Sequence, residues 1–115
     1  MVGFRRRTAR MESSYKLRAV EEQQRCAHMT DDLEYPKPNT PNGCEECLAM
    51  GARWVHLRLC LQCGHVGCCD SSPNRHATKH YHKTDHPLVA SYEPGEAWMW
   101  CYADEVFFET AASVR

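Results

Sequence analysis

Cys44-Glu45-Glu46-Cys47, Cys60-Leu61-Gln62-Cys63, Gly64-His65-Val66-Gly67-Cys68-Cys69, then His76, His80 and His86: this stretch decides how the chain is read. A gap of two residues within a Cys pair lets both thiolates reach one tetrahedral ion across a tight turn. Zinc, borderline in softness, suits mixed sulfur and nitrogen ligation. Two such knuckles followed by spaced histidines signal a structural zinc module.

The composition supports metal over disulfides. Eight Cys in 115 residues are many, and seven His accompany them. A disulfide framework has no use for histidine, whereas Cys pairs interleaved with His suit zinc in a reducing compartment. No apolar run follows Arg5, Arg6 and Arg7 as a secretory leader would require, and no run is long enough to span a bilayer. These features predict a cytoplasmic monomer without membrane contact. A core of this size is marginal alone, so metal is expected to supply much of the folding free energy.

The net charge of −1 hides an asymmetry. Residues 1–25 carry seven Lys/Arg against three Glu, and the remainder carries seven against twelve acids. A finger that reads nucleic acid presents a basic face. The Cys/His-rich part is acidic, which argues against nucleic acid as the partner.

Outside the knuckles the reading is as follows. Residues 1–25 form a basic tail, with a thin apolar stripe of Met11, Tyr15 and Val20 suggesting a weak helix over Met11–Arg25. Pro36, Pro38, Pro41 and Asn42-Gly43 mark a loop. Arg53–Cys60 alternates, with Val55, Leu57 and Leu59 on one face, and predicts a half-buried strand. Ser71-Ser72-Pro73 predicts a helix start and a helix from Pro73 to about Lys83, on which His76 and His80 share a face and His82 points elsewhere. His86–Tyr92, Trp98–Tyr102 and Glu105–Glu109 read as further strands, with a turn at Glu93-Pro94-Gly95-Glu96. The expected fold is α+β: a short antiparallel sheet, one main helix and knuckle loops over residues 26–110, with 111–115 as a C-terminal tail.

Cys26, His28, Cys44, Cys47, Cys60, Cys63, Cys68, His76, His80, His86 and Cys101 make eleven candidate ligands, one short of three complete four-ligand sites. Asp104, three residues after Cys101, is either the twelfth or a surface acid. Spacing alone leaves the pairing open. A zinc ribbon would put Cys44, Cys47, Cys60 and Cys63 on one ion, although twelve intervening residues are short for it.

From Cys26 to about Glu109 the chain resembles the UBP-type zinc finger, the ubiquitin-binding module of ubiquitin-specific proteases and some deacetylases. The likeness rests on Cys26-Ala27-His28, the two Cys-x2-Cys pairs, the step from Cys63 to Cys68, His76-x3-His80-x5-His86-Pro87-Leu88, and Trp100-Cys101-Tyr102. The run from Gly64 to Pro73 looks most like stand-alone prokaryotic members. The resemblance implies two to three zinc ions in a cross-braced arrangement. Cys44, Cys47, Cys68 and His76 would share one, Cys60, Cys63, His80 and His86 a second, and Cys26, His28 and Cys101 a third with Asp104. Cys69 is then left over, next to Cys68.

It also implies a binding role. In ubiquitin-binding members a deep aromatic pocket takes the free C-terminal Gly-Gly, anchored by an arginine. Trp100 and Tyr102 match the aromatic positions, and Asp70 stands where the arginine would be. An acid there opposes a terminal carboxylate. Arg58 and Arg75 are the cations that could compensate. The expected function is therefore capture of a protein or peptide C-terminus, ubiquitin-like ones included, with ubiquitin itself disfavoured by Asp70. The competing reading is a small zinc hydrolase, in which Cys26, His28 and Cys101 leave an open position for a metal-bound water. Thiols committed to zinc are poor nucleophiles and no separate base with its orienting partner is visible, so the chain is read as a non-enzyme.

Overall fold

The computed structural model describes residues 26–29 and 34–115. The basic segment 1–25, with the weak helix expected there, lies outside them. The described residues form a five-stranded sheet and two helices, an α+β fold. In chain order the elements are α1 (Glu45–Met50), β1 (Leu57–Cys60), β2 (Val66–Cys68), α2 (His76–Thr84), β3 (Leu88–Ser91), β4 (Trp98–Cys101) and β5 (Val106–Glu109). Sheet order is β2-β1-β3-β4-β5, and every neighbouring pair is antiparallel.

Register explains the core. Val66 pairs with Leu59, Leu59 with Ala90, Ala90 with Met99 and Met99 with Phe108, so one transverse row crosses all five strands. Every member of that row is fully buried. Removing such side chains from water contributes roughly 1.5–3 kcal/mol for each large one. Cys44, Cys47, Cys68 and Cys101 belong to the same apolar cluster, so prospective ligands and core share one face. Because side chains alternate along a strand, the neighbouring row, Val89, Trp100 and Phe107, lies on the opposite face. Helix α2 packs against β2 and β1.

Four local expectations need correction. α1 was not foreseen: it is only six residues long, and its N-cap is Cys44, whose thiol accepts from the Cys47 N–H at 3.5 Å. β2 was not foreseen either, since three residues with a central glycine carry no legible period. α2 begins at His76 rather than Pro73: the Ser72 hydroxyl accepts from the Val55 N–H at 2.8 Å instead of capping a helix, and Arg75 enters with φ 49°. Val55 is 50% exposed rather than in the buried row, because the ladder starts only at Leu57. At the other end, Val114 packs on the core and the Arg115 guanidinium lies 4.6 Å from the Tyr92 ring centre, so residues 111–115 rest on the body.

Candidate metal centres and ligand pocket

Three four-residue sets converge, each with its donor atoms within 4.8 Å of one another. The first joins Cys44 and Cys47 of the α1 knuckle to Cys68 at the end of β2 and His76 at the start of α2, all buried. His76 Nδ1 lies 3.3 Å from Cys44 Sγ, 3.4 Å from Cys47 Sγ and 3.5 Å from Cys68 Sγ, and the Cys47 and Cys68 sulfurs are 3.9 Å apart. Tetrahedral zinc, with bonds of about 2.3 Å to sulfur and about 2.0–2.1 Å to nitrogen, requires S···N edges of about 3.6 Å and S···S edges of about 3.8 Å. The buried set therefore fits the ion.

The second set is Cys60, Cys63, His80 and His86, with Cys60 Sγ 3.6 Å from His86 Nδ1 and Cys63 Sγ 3.3 Å from His80 Nε2. The third is Cys26, His28, Cys101 and Asp104. There His28 Nδ1 lies 3.4 Å from Cys101 Sγ and 3.3 Å from Asp104 Oδ2. The grouping is interleaved along the chain: Cys60 and Cys63 stand apart from Cys44 and Cys47, unlike in a ribbon. Cys69, buried beside Cys68, belongs to none of the sets; its sulfur faces the Ser72 hydroxyl at 3.6 Å.

The electrostatics suit a cation. Burial pushes the Cys44 thiol up to about 12 and the Cys60 and Cys26 thiols to about 11. Alone they stay protonated; a bound cation reverses that preference, so loading releases protons. Burial, reinforced by His65 and His86, lowers His80 to about 4, which keeps the imidazole neutral as a ligand must be. The three clusters are able to bind zinc.

His65 is the contributor that spacing did not single out. It is buried, stacks on His80 with ring centres 4.0 Å apart, and its Nε2 lies 2.8–2.9 Å from both Glu46 carboxylate oxygens. The Glu46 carboxyl is lowered even though burial raises it, because the His65 hydrogen bond favours the anion. Glu46 sits inside the first knuckle and His80 in the second set, so His65 props a residue of each. His56 and His82 are exposed.

On the sheet face opposite the core lies a concavity of about 230 Å³. Trp98, Trp100 and Phe107 form one wall, Tyr102 and Asp70 another, and Arg58 of β1 reaches into it. Trp100 and Tyr102 meet edge to face at 6.4 Å, and Tyr102 stacks on Tyr81 of α2 at 4.9 Å. Thr78 Oγ1 donates to Asp70 Oδ1 at 2.6 Å and lies 3.3 Å from the Tyr102 hydroxyl. Burial, with the Asp70 charge adding to it, raises the Tyr102 phenol, which stays a donor. The Arg58 guanidinium carbon sits 4.5 Å from the Trp98 ring centre. Arg75 is at the N-terminus of α2 and does not line the concavity. Trp98 and Phe107 escaped the sequence reading, although alternation along Trp98–Cys101 pairs Trp98 with Trp100 on one face.

A family model described as "Zn-finger in ubiquitin-hydrolases and other protein" matches residues 44–112. BRCA1-associated protein from Homo sapiens is 35% identical over 63 residues, which cover 55% of this chain and 10% of that protein. NAD-dependent deacetylase sir2A from Dictyostelium discoideum is 27% identical over 89 residues, 71% of this chain and 16% of the relative. Ubiquitin carboxyl-terminal hydrolase 16 from Danio rerio is 37% identical over 59 residues, 49% of this chain and 7% of the relative. This chain thus spans less than a fifth of the length of each of these three relatives. A solution NMR structure of protein RPA1320 from Rhodopseudomonas palustris superposes with TM-score 0.68 at 52% identity, covering 76% of this chain and 83% of that one. With its family model spanning more than half of the sequence and its Cys/His sets assembled in space, the chain belongs to the UBP-type zinc fingers, the zinc-finger family of ubiquitin hydrolases and other proteins.

Proposed function

We propose that residues 26–110 form a monomeric, cytoplasmic binding module, stabilised by zinc, that captures the C-terminus of a protein or peptide in the aromatic concavity. The observation that carries this reading is convergence: Trp100, Tyr102 and Asp70, separated in sequence, line one concavity of about 230 Å³. Such a volume suits the last small residues of an extended chain, and capture of a terminal carboxylate is an established recognition mode. The twelve ligands are the three converging sets, with Asp104 completing the third. Zinc there supplies cross-links rather than chemistry. With a carboxylate as fourth donor no coordination position is left for a reactive water, so the hydrolase alternative loses its basis.

Similarity to ubiquitin carboxyl-terminal hydrolase 16 suggests ubiquitin as the first partner to test. Among the described residues no helix is long and apolar enough to cross a membrane. The test is an NMR titration of the zinc-loaded protein with ubiquitin and with ubiquitin lacking its C-terminal glycines. Saturable shifts at Trp100 and Tyr102, lost with the truncated form and with Trp100→Ala at unchanged zinc content, are expected for terminal capture of ubiquitin. Unchanged affinity of Trp100→Ala would sink the pocket assignment. Absence of shifts with ubiquitin, alongside binding of other free C-termini, would retain capture and exclude that partner.

A further inference from the structure

The pocket holds two opposite charges that do not pair. Arg58 and Asp70 both line it, yet among the described residues neither forms an ion pair with the other. Asp70 is exposed at the rim, and one of its oxygens is committed to the Thr78 hydroxyl. Arg58 is half-buried, rises from β1 between Gly67 of β2 and Ser91 of β3, and lies over the Trp98 face. Among the described residues one of its five guanidinium donors is engaged, from Nη1 to the Leu57 carbonyl at 3.1 Å. A partly desolvated guanidinium lying over an aromatic wall, with its remaining donors free among the described residues, is a fork held ready for a carboxylate.

We propose that Arg58 is the carboxylate anchor of this pocket and that Asp70 selects for a basic residue shortly before the terminus. The proposal rests on the capture reading and names its specificity: a free C-terminal carboxylate docks on Arg58, while the rim acid attracts an upstream Lys or Arg and repels Asp or Glu. Contact with the Trp98 ring at 4.5 Å and the hydrogen bond to the Leu57 carbonyl hold the guanidinium in place, so bidentate approach costs little further ordering. The two charges lie on separate elements, so each can be removed without disturbing the other.

The experiment is fluorescence anisotropy on the zinc-loaded full chain. Its probes are fluorescein-labelled hexapeptides ending Gly-Gly, as free acid or C-terminal amide, with Lys or Glu at the residue before the glycines. Wild type should bind the Lys-containing free acid about tenfold or more tighter than its amide, the scale of a charge-assisted hydrogen bond. Arg58→Gln should collapse the acid-to-amide ratio to about one at unchanged zinc content, and Arg58→Lys should keep part of it. Asp70→Asn should preserve that ratio and erase the preference for Lys over Glu. An acid-to-amide ratio in Arg58→Gln equal to wild type would overturn the anchor while leaving terminal capture standing. A wild-type protein indifferent to acid or amide would overturn both. A preference for Lys that survives Asp70→Asn would overturn the role of Asp70.

Discussion

Gly67→Ala tests whether close approach of α2 to the sheet sets the geometry of two metal sets at once. A Cβ built on Gly67 would stand 2.7 Å from the Ala77 backbone N and 2.8 Å from its Cα, with His65 Cε1 also at 2.8 Å. Ordinary contact begins at 3.4 Å, so α2 must lift by about 0.6–0.7 Å. The obstruction is helix backbone, which cannot rotate aside. Overpacking of this kind costs about 1–3 kcal/mol. Gly67 is not among the glycines with positive φ, so alanine suits its backbone, and loss of unfolded-chain entropy alone would stabilise by about 0.4–1 kcal/mol. The two effects have opposite signs, and the steric one is larger. The midpoints net to about 1.3 kcal/mol of destabilisation, which at about 4–8 °C per kcal/mol lowers the melting temperature by about 5–10 °C. His76 and His80 ride on α2, so both sets loosen together, and a chromophoric chelator should extract zinc from them faster. The assay pairs thermal denaturation by circular dichroism with chelator competition. A melting temperature unchanged or raised, with zinc release at the wild-type rate, would refute the reasoning.

Other outcomes follow from the same geometry. Asp104→Ala should lower zinc content from three ions to two by elemental analysis, while Asp104→Cys should retain three; retention of three by the alanine variant would make Asp104 a surface acid. Cys69→Ser should leave zinc content unchanged, whereas Cys68→Ser should lose the buried ion; the reverse result would exchange their roles. His80 should produce acid sensitivity. Burial and the neighbouring His65 and His86 alone, before any metal adds to the effect, hold it at about 4 against the ordinary 6.5, so the neutral ring is the folded form. Its contribution is therefore full above pH 6.5 and is lost as pH falls from 6.5 towards 4. Melting temperatures that stay flat from pH 7 to pH 4.5 would contradict this.

The elements legible in the sequence were those whose local pattern and tertiary role agree. Leu57 and Leu59 alternate because one sheet face is buried, and the Trp98–Cys101 stretch reads as a strand for the same reason. The Cys and His spacings point to clusters because a metal site constrains residue type more tightly than any propensity does. Where the local signal was borrowed for another purpose, the reading slipped. Ser72 carries the chemistry of a helix cap but spends its hydroxyl on Val55. Cys44 caps α1 with sulfur, a residue type absent from the usual cap signature. β2 is a strand by virtue of its partner Leu57–Leu59 segment, not by its own three residues. The pocket was partly legible: Trp100, Tyr102 and Asp70 are marked by the family resemblance, Trp98 shares the face of Trp100 by alternation along β4, and Phe107 joins only through its cross-strand register with Trp100.

Strand β4 divides its duties by parity. Met99 and Cys101 are buried with the core, while Trp98 and Trp100 face the concavity. Substitution at the even-numbered positions can therefore rewrite what the module recognises while the scaffold beneath stays as it is. Insertion or deletion of one residue does the reverse: it turns the tryptophans inward and swings the Cys101 thiol out to solvent, losing recognition and fold in one step. Divergence along this strand is thus free at the two tryptophan positions and locked in its length.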